Sequence, residues 1–303
     1  MLYGHLDKQP WMDGWDEGLA PTEPVIRGEY LYGRGGADDG YSPFSCMLGV
    51  KAAQEQGVKW PRVALVLESE EESGSPSLIP LLKEAKDFIG EPDFCFCMDS
   101  GAFDYNSLWL TSSLRGITIV DLTVECAKGG YHSGEVGGIV PETFRVVREL
   151  LNRVDNSTTG ECAPEFNIPC PEWKRKEAED MAKLTGETMY TKYNVEDGVK
   201  YVSQDNLVEM YLGNTWKSNL SITGADGLPP VATAGNVVRA STSVRLSLRL
   251  PPGLNPQKAT EDLIKKLTTD VPYNAKVTVH GGHAGSGWCM KEIKPWLDAV
   301  LKQ

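Results

Sequence analysis

Long apolar runs are missing from this chain. No stretch approaches the roughly 20 consecutive apolar residues that a membrane helix requires, and the N-terminus lacks a charged-then-apolar signal pattern. The sequence therefore reads as neither membrane-spanning nor secreted. Basic residues are also in deficit, 30 Lys and Arg against 42 Asp and Glu, and a net charge of −12 repels a polyanion, so nucleic acid is excluded as an expected partner. A disulfide framework is absent too. The seven cysteines (Cys46, Cys95, Cys97, Cys126, Cys162, Cys170 and Cys289) are odd in number and irregularly spaced, which points to a reducing, cytoplasmic compartment. Cys95 and Cys97 alternate with Phe94 and Phe96, and read as small residues of a buried strand. There is no internal repeat or low-complexity tract, and 41% apolar content over 303 residues is enough for two ordinary domains with real cores.

What is present begins as α/β grammar. Four short apolar runs, Leu2-Tyr3, Tyr30 to Tyr32, Val63 to Leu67 and Phe94 to Met98, read as strands, with helical patterns between the later ones. The spacing predicts a helix over 42–56, with Ser42 as N-cap, Pro43 in the first turn and Gly57 as the stop. A second helix is predicted from Ser75-Pro76 to just before Gly90. From Arg115 the pattern changes to β-branched strands and amphipathic helices. Strands are predicted at 117–125, 243–250 and 275–280, and helices at 141–154, 173–184 and 256–267, with Phe144, Val147, Leu150 and Leu151 inward in the first of these helices. The predicted organisation is a catalytic α/β domain with a mostly parallel central sheet over 1–114 and a small α+β lid or dimerisation domain over 115–284. Residues 285–303 are read as the start of a return into the catalytic domain.

Chemistry-bearing residues gather at the ends of the early strands. His5-Leu6-Asp7, Asp38-Asp39, Glu70-Glu71-Glu72 and Asp99 each follow an apolar run. In an open α/β sheet the carboxyl edge is where ligands bind, so these groups are predicted to converge. A single exposed acid after a strand is commonly a solvated loop residue or a cap. Four such clusters in succession point to a divalent cation, because carboxylates packed together raise one another's pKa unless a cation sits among them. An imidazole among carboxylates suits zinc, with manganese or cobalt as substitutes, and the surplus of ligands suits two metal ions sharing a carboxylate. The one-residue gap between His5 and Asp7 puts both on one side of an extended backbone, where Asp7 can orient the ring. In Glu71-Glu72 the neighbours point apart, so one can hold metal while the other serves as general base.

These motifs, Gly4-His5-Leu6-Asp7, Gly33-Arg34-Gly35-Gly36-Ala37-Asp38-Asp39-Gly40, Glu71-Glu72-Ser73-Gly74-Ser75 and Met98-Asp99-Ser100, resemble in order and spacing the dinuclear-zinc peptidase family twenty. Its members include dipeptidases, carnosinase, aminoacylase and acyl-amino-acid deacylases. The resemblance implies that His5, Asp38, Glu72 and Asp99 bind metal, with Asp38 bridging, that Glu71 is the base, and that Asp7 orients His5. In the dipeptidases a lysine usually follows the second aspartate, where this chain has Gly40-Tyr41. The resemblance further implies that His132, in Tyr131-His132-Ser133-Gly134, stabilises an oxyanion in the partner of a homodimer. Asn236 and Arg249 would hold the substrate carboxylate, with Arg239 and Arg245 as nearby competitors. The expected activity is metal-dependent hydrolysis of a small peptide or an N-acyl amino acid. The family adds a final histidine ligand beyond the lid, for which His280 and His283 are not candidates. The second expectation is therefore a truncated or degenerate homologue that only dimerises.

Overall fold

The computed structural model describes residues 1–291 and 295–302. The chain divides into two compact units, Met1–Thr111 and Ser112–Gln303. The second of these includes the 285–303 segment.

The first unit contains strands β1 (Leu2–His5), β2 (Val25–Arg27) and β3 (Tyr30–Tyr32), helix α1 (Ser42–Glu55), strand β4 (Leu65–Glu68), helices α2 (Leu78–Glu84) and α3 (Lys86–Ile89), and strand β5 (Phe96–Cys97). β4, β1 and β5 form a parallel sheet in that order, with His5 opposite Glu68. β2 and β3 pair only with each other as an antiparallel hairpin. The Tyr30–Tyr32 run is a strand as read, but it belongs to this exposed hairpin and not to the parallel sheet, so Asp38 follows it on a turn. Helix α1 starts one residue earlier than its spacing predicts. Tyr41 is its N-cap, Ser42 is the first helical residue, and no side chain caps it. Cys95 and Cys97 are exposed rather than buried, because β5 is a two-residue edge strand. Its neighbours Phe94, Phe96 and Met98 line an open apolar groove of about 550 Å³ instead of packing beneath a covering layer.

The second unit opens with β6 (Ser113–Leu114), β7 (Gly116–Glu125), β8 (Tyr131–His132) and helices α4 (Ser133–Val136), α5 (Thr143–Leu151), α6 (Glu172–Thr185), α7 (Thr188–Thr191) and α8 (Leu207–Thr215). It continues with β9 (Asn219–Asp226), β10 (Val237–Val238), β11 (Ser241–Leu250), α9 (Pro256–Thr268), β12 (Lys276–Gly285), β13 (Trp288–Cys289) and α10 (Pro295–Leu301). Its main sheet is antiparallel, in the order β12-β7-β11-β9. Strict alternation along β7 and β11 sends Val120, Leu122, Val124, Val244, Leu246, Leu248 and Leu250 to one face. Val146, Val147 and Leu150 of α5 and Ala259, Leu263 and Leu267 of α9 cover that face and close the core. Each of these valine and leucine side chains contributes about 1.5–3 kcal/mol by leaving water. Phe144 is half-exposed, and Val146 takes the inward place expected for it: with Glu142 as N-cap, the helix turns the 143/146/147/150 stripe to the sheet. The opposite sheet face is polar and carries an Arg245 fork on Asp121, at 2.7 and 2.8 Å.

Candidate metal site

β1 ends in His5, which is fully buried, and its ring is flanked by acids on both edges. Nδ1 lies 3.1 Å from the Asp7 carbonyl oxygen and 3.2 Å from Asp7 Oδ1. Nε2 lies 3.1 Å from Asp38 Oδ1 and 3.8 Å from Asp99 Oδ1. Each acid arrives on a different piece of chain. Asp7 follows β1 directly, and its carboxylate accepts the backbone N–H groups of Glu71 (3.2 Å) and Glu72 (2.9 Å), pinning the short helical turn Glu71–Ser73 that follows β4. Asp99 follows β5. Asp38 sits in a wide turn, Gly36–Gly40, closed by the Gly40 N–H donating to the Gly35 carbonyl at 2.9 Å. The next residue, Asp39, is fully buried and accepts the backbone N–H of His5 at 3.1 Å, which ties the turn to the end of the strand.

The electrostatics follow from this crowding. Burial alone pushes the His5 imidazole toward its neutral form, but the Asp38 contact and the charges of Asp99, Glu71 and Asp7 outweigh it and raise its pKa. Glu71 is raised chiefly by burial and by Asp99, against the pull of His5. Burial is also the main cause for Asp99, opposed by His5 and reinforced by Asp39, Asp38 and Glu72. Such a cluster of acids gains from a cation.

Two sets of side chains offer ligand atoms that all lie within 4.8 Å of one another: His5 with Glu71 and Asp99, and His5 with Asp38 and Glu72. Glu72 Oε1 is buried without a hydrogen-bond partner among the described residues, while its Oε2 accepts from Gln9. One imidazole, several carboxylates and an orphaned carboxylate oxygen fit a borderline divalent ion of the zinc type. The sequence places Asp39 in the Asp38-Asp39 cluster without a role of its own, and Gln9 and Lys8 in none. Asp39 was legible as half of an aspartate doublet, whereas Gln9 and Lys8 carry no spacing signal.

The second unit brings His132 and Asn236 together across 104 positions of sequence. β8 pairs with β10, which sets His132 opposite Val237, and the Ser133 N–H donates to the Asn236 carbonyl at 2.9 Å. His132 is exposed and caps α4, its Nδ1 accepting from the Gly134 N–H at 3.2 Å. Arg249 is not near this pair. It lies at the Gly116 end of β11, while β8 and β10 flank the Glu125 end, roughly 26 Å away at the usual rise of a strand. There it adds to the burial that lowers the Arg115 guanidinium to about 10. Arg245 is already committed to Asp121.

The profile of peptidase family M20/M25/M40 matches residues 1–299. The chain belongs to this family. Among curated members, it is 27% identical over 311 residues to a Cys-Gly metallodipeptidase of Schizosaccharomyces pombe, covering 95% of this chain and 61% of that one. It is 28% identical over 273 residues to the Beta-Ala-His dipeptidase of Rattus norvegicus, covering 84% and 52%. This chain thus spans about half to three-fifths of the length of these relatives. The fold is shared with the dipeptidase Dug1p of Saccharomyces cerevisiae (TM-score 0.76, 24% identity, 99% of this chain and 64% of that one) and with human carnosine dipeptidase 1 (TM-score 0.72, 23% identity, 99% and 64%). Membership of this metallopeptidase family implies divalent metal binding. Among the described residues no helix is long and apolar enough to cross a membrane.

Proposed function

We propose that this chain carries the metal-binding and proton-transfer groups of a hydrolase that cleaves the amide bond of a small peptide, a dipeptide in the first instance, or of an N-acyl amino acid. The observation that carries the reading is the convergence of acids on His5: Asp38, Glu71, Glu72 and Asp99 offer ligand atoms around its ring, and Asp7 fixes both the ring and the Glu71–Glu72 turn. His5, Asp38, Glu72 and Asp99 would hold the two divalent ions, zinc first. When bound, the ions supply a Lewis acid for the scissile carbonyl and lower the pKa of water. The chain's own contribution is proton movement and orientation. Glu71, its carboxyl raised by burial and by Asp99, takes a proton from the attacking water and returns it to the leaving nitrogen. Asp7 holds the Glu71 and Glu72 amides and the His5 ring in register.

Cys-Gly and β-Ala-His, named for the relatives, are the first substrates to try. We assign homodimerisation to the second unit, with His132 serving the partner's site, and place the protein in the cytoplasm. Asn236 and Arg249 are the proposed holders of the substrate carboxylate, from opposite ends of β11.

The test is a Co²⁺ or Zn²⁺ titration paired with a dipeptide hydrolysis assay. Glu71→Gln should lower turnover by about 10²–10⁴-fold, the usual contribution of a general base, and leave metal titration near wild type. Unchanged turnover would remove Glu71 from its role, and no metal binding by the wild type would sink the whole reading.

A further inference from the structure

Lys8, one residue past Asp7, has no place in the reading so far. Its ammonium is shut off from solvent and has no hydrogen-bond partner among the described residues. The side chain lies in a cradle made by two glycines. A methyl group at Gly35 (φ +75°) would overlap Lys8 Cδ and Cε, so the alkyl chain occupies space that only a glycine leaves free. A Cβ at Gly40 would stand 2.6 Å from the Gly35 carbonyl oxygen and 3.5 Å from Lys8 Nζ. Gly35 and Gly40 are the two ends of the turn that carries Asp38 and Asp39, joined by the 2.9 Å hydrogen bond between them.

Asp39 has a matching anomaly: it is fully buried, and its Oδ1 has no hydrogen-bond partner among the described residues. A sealed ammonium and a sealed carboxylate are each costly alone. Lys8 packs against both ends of the turn that carries Asp39, and attraction between opposite charges in a low-dielectric interior does not need a hydrogen bond. The cation nearest Gly40 comes from residue 8.

We infer that Lys8 is a positioning residue, the fixed cation that holds the Asp38–Asp39 turn in the shape the site needs. The inference rests on the metal-site reading for its purpose, but not for its test. If Lys8 acted only as a charge, removing it would strengthen binding of a divalent ion by relieving repulsion. If it holds the turn, removing it weakens binding.

The experiment uses the 303-residue chain with Lys8→Met, which keeps the length and loses the charge. Amide hydrogen exchange on metal-free protein should quicken about tenfold at Gly40 and His5, whose N–H groups bond to Gly35 and Asp39, while Leu122 and Leu248 stay as in wild type. In a Co²⁺ titration followed by visible absorption, affinity should fall about tenfold, as it does when the group supporting a ligand is removed. Lys8→Arg should restore part of both. Unchanged exchange at Gly40, or tighter Co²⁺ binding, would overturn the proposal. A wild type that binds no Co²⁺ refutes the metal site instead, and the exchange comparison then decides Lys8 by itself. Should Lys8→Met fail to fold, Gly35→Ala expels the same side chain and is read by the same two outcomes.

Discussion

The two units differ in how much apolar surface they bury. The second buries a large aliphatic core between its sheet and two helices, with a smaller cluster around Ala178, Leu212 and Trp216. The first buries His5, Asp39 and Ser42 completely, yet leaves Leu65, Leu67, Phe94 and Phe96 more than a third exposed. Stability built on apolar area is therefore concentrated in the second unit, while the first spends its interior on polar groups whose burial costs free energy unless each finds a partner. The orphaned atoms follow the same division. Lys8 Nζ, Asp39 Oδ1, Ser42 Oγ and Glu72 Oε1 all belong to the first unit.

Among the described residues of the second unit one charged side chain, Lys174, is fully buried, and breaking its pairing is the largest effect we predict. Lys174 donates to Glu177 at 2.5 Å and to Ser113 at 3.0 Å, and Glu177 also accepts from Tyr211 at 3.0 Å and Ser112 at 2.8 Å. Glu177→Ala leaves that ammonium uncompensated and should cost about 3–5 kcal/mol in chemical denaturation. A loss below about 1 kcal/mol, the range of exposed pairs, would mean the tie is structurally idle. Next in size is a matched pair. Leu248→Ala, in the core of the second unit, should cost about 2–5 kcal/mol, and Leu65→Ala, 40% exposed on β4, less than about half of that. Equal losses would erase the contrast between the units.

Much of this division was legible in the sequence. The β-branched run over 117–125 and the strand predicted at 243–250 are found as β7 and β11, longer by a residue or two. The site residues of the first unit were legible because each follows an apolar run. What failed did so for local reasons. Tyr30–Tyr32 has strand composition, but nothing in a three-residue run distinguishes a sheet strand from a hairpin. Cys95 and Cys97 alternate correctly, but alternation does not say whether a layer covers either face. Lys8 and Lys174 were invisible, because burial of a lysine is decided by partners distant in sequence: Gly35 and Gly40 for one, and the side chains of Ser113 and Tyr211 for the other.

Asp7 sharpens the comparison from the side of the first unit. Asp7→Ala removes the acceptor of the Glu71 and Glu72 amides and the acid beside His5 Nδ1, so metal affinity and any hydrolysis should fall about 10–100-fold. The denaturation midpoint should move much less than for Leu248→Ala, because no apolar area is uncovered. A midpoint shift as large as that of Leu248→Ala would show that the first unit also relies on its polar ties for stability.

The smallest effect tests whether surface charge contributes to the second unit at all. Glu209 accepts from Lys217 at 2.6 Å and from Arg175 at 3.2 Å, and the Lys217 hydrogen bond is the main reason its pKa lies below the ordinary 4.5. A folded-state pKa below the unfolded one means that the unfolded chain binds the proton more readily. The stabilisation is then complete above the unfolded pKa and disappears as pH falls through the folded value. Glu209→Gln should thus cost about 0.5–1 kcal/mol at pH 7, discounted for partial exposure of both cations. Against wild type, the difference in denaturation midpoint should close as pH is lowered below 4.5 toward 3. A difference that persists at pH 3 would assign the effect of Glu209 to packing on α8 rather than to its charge.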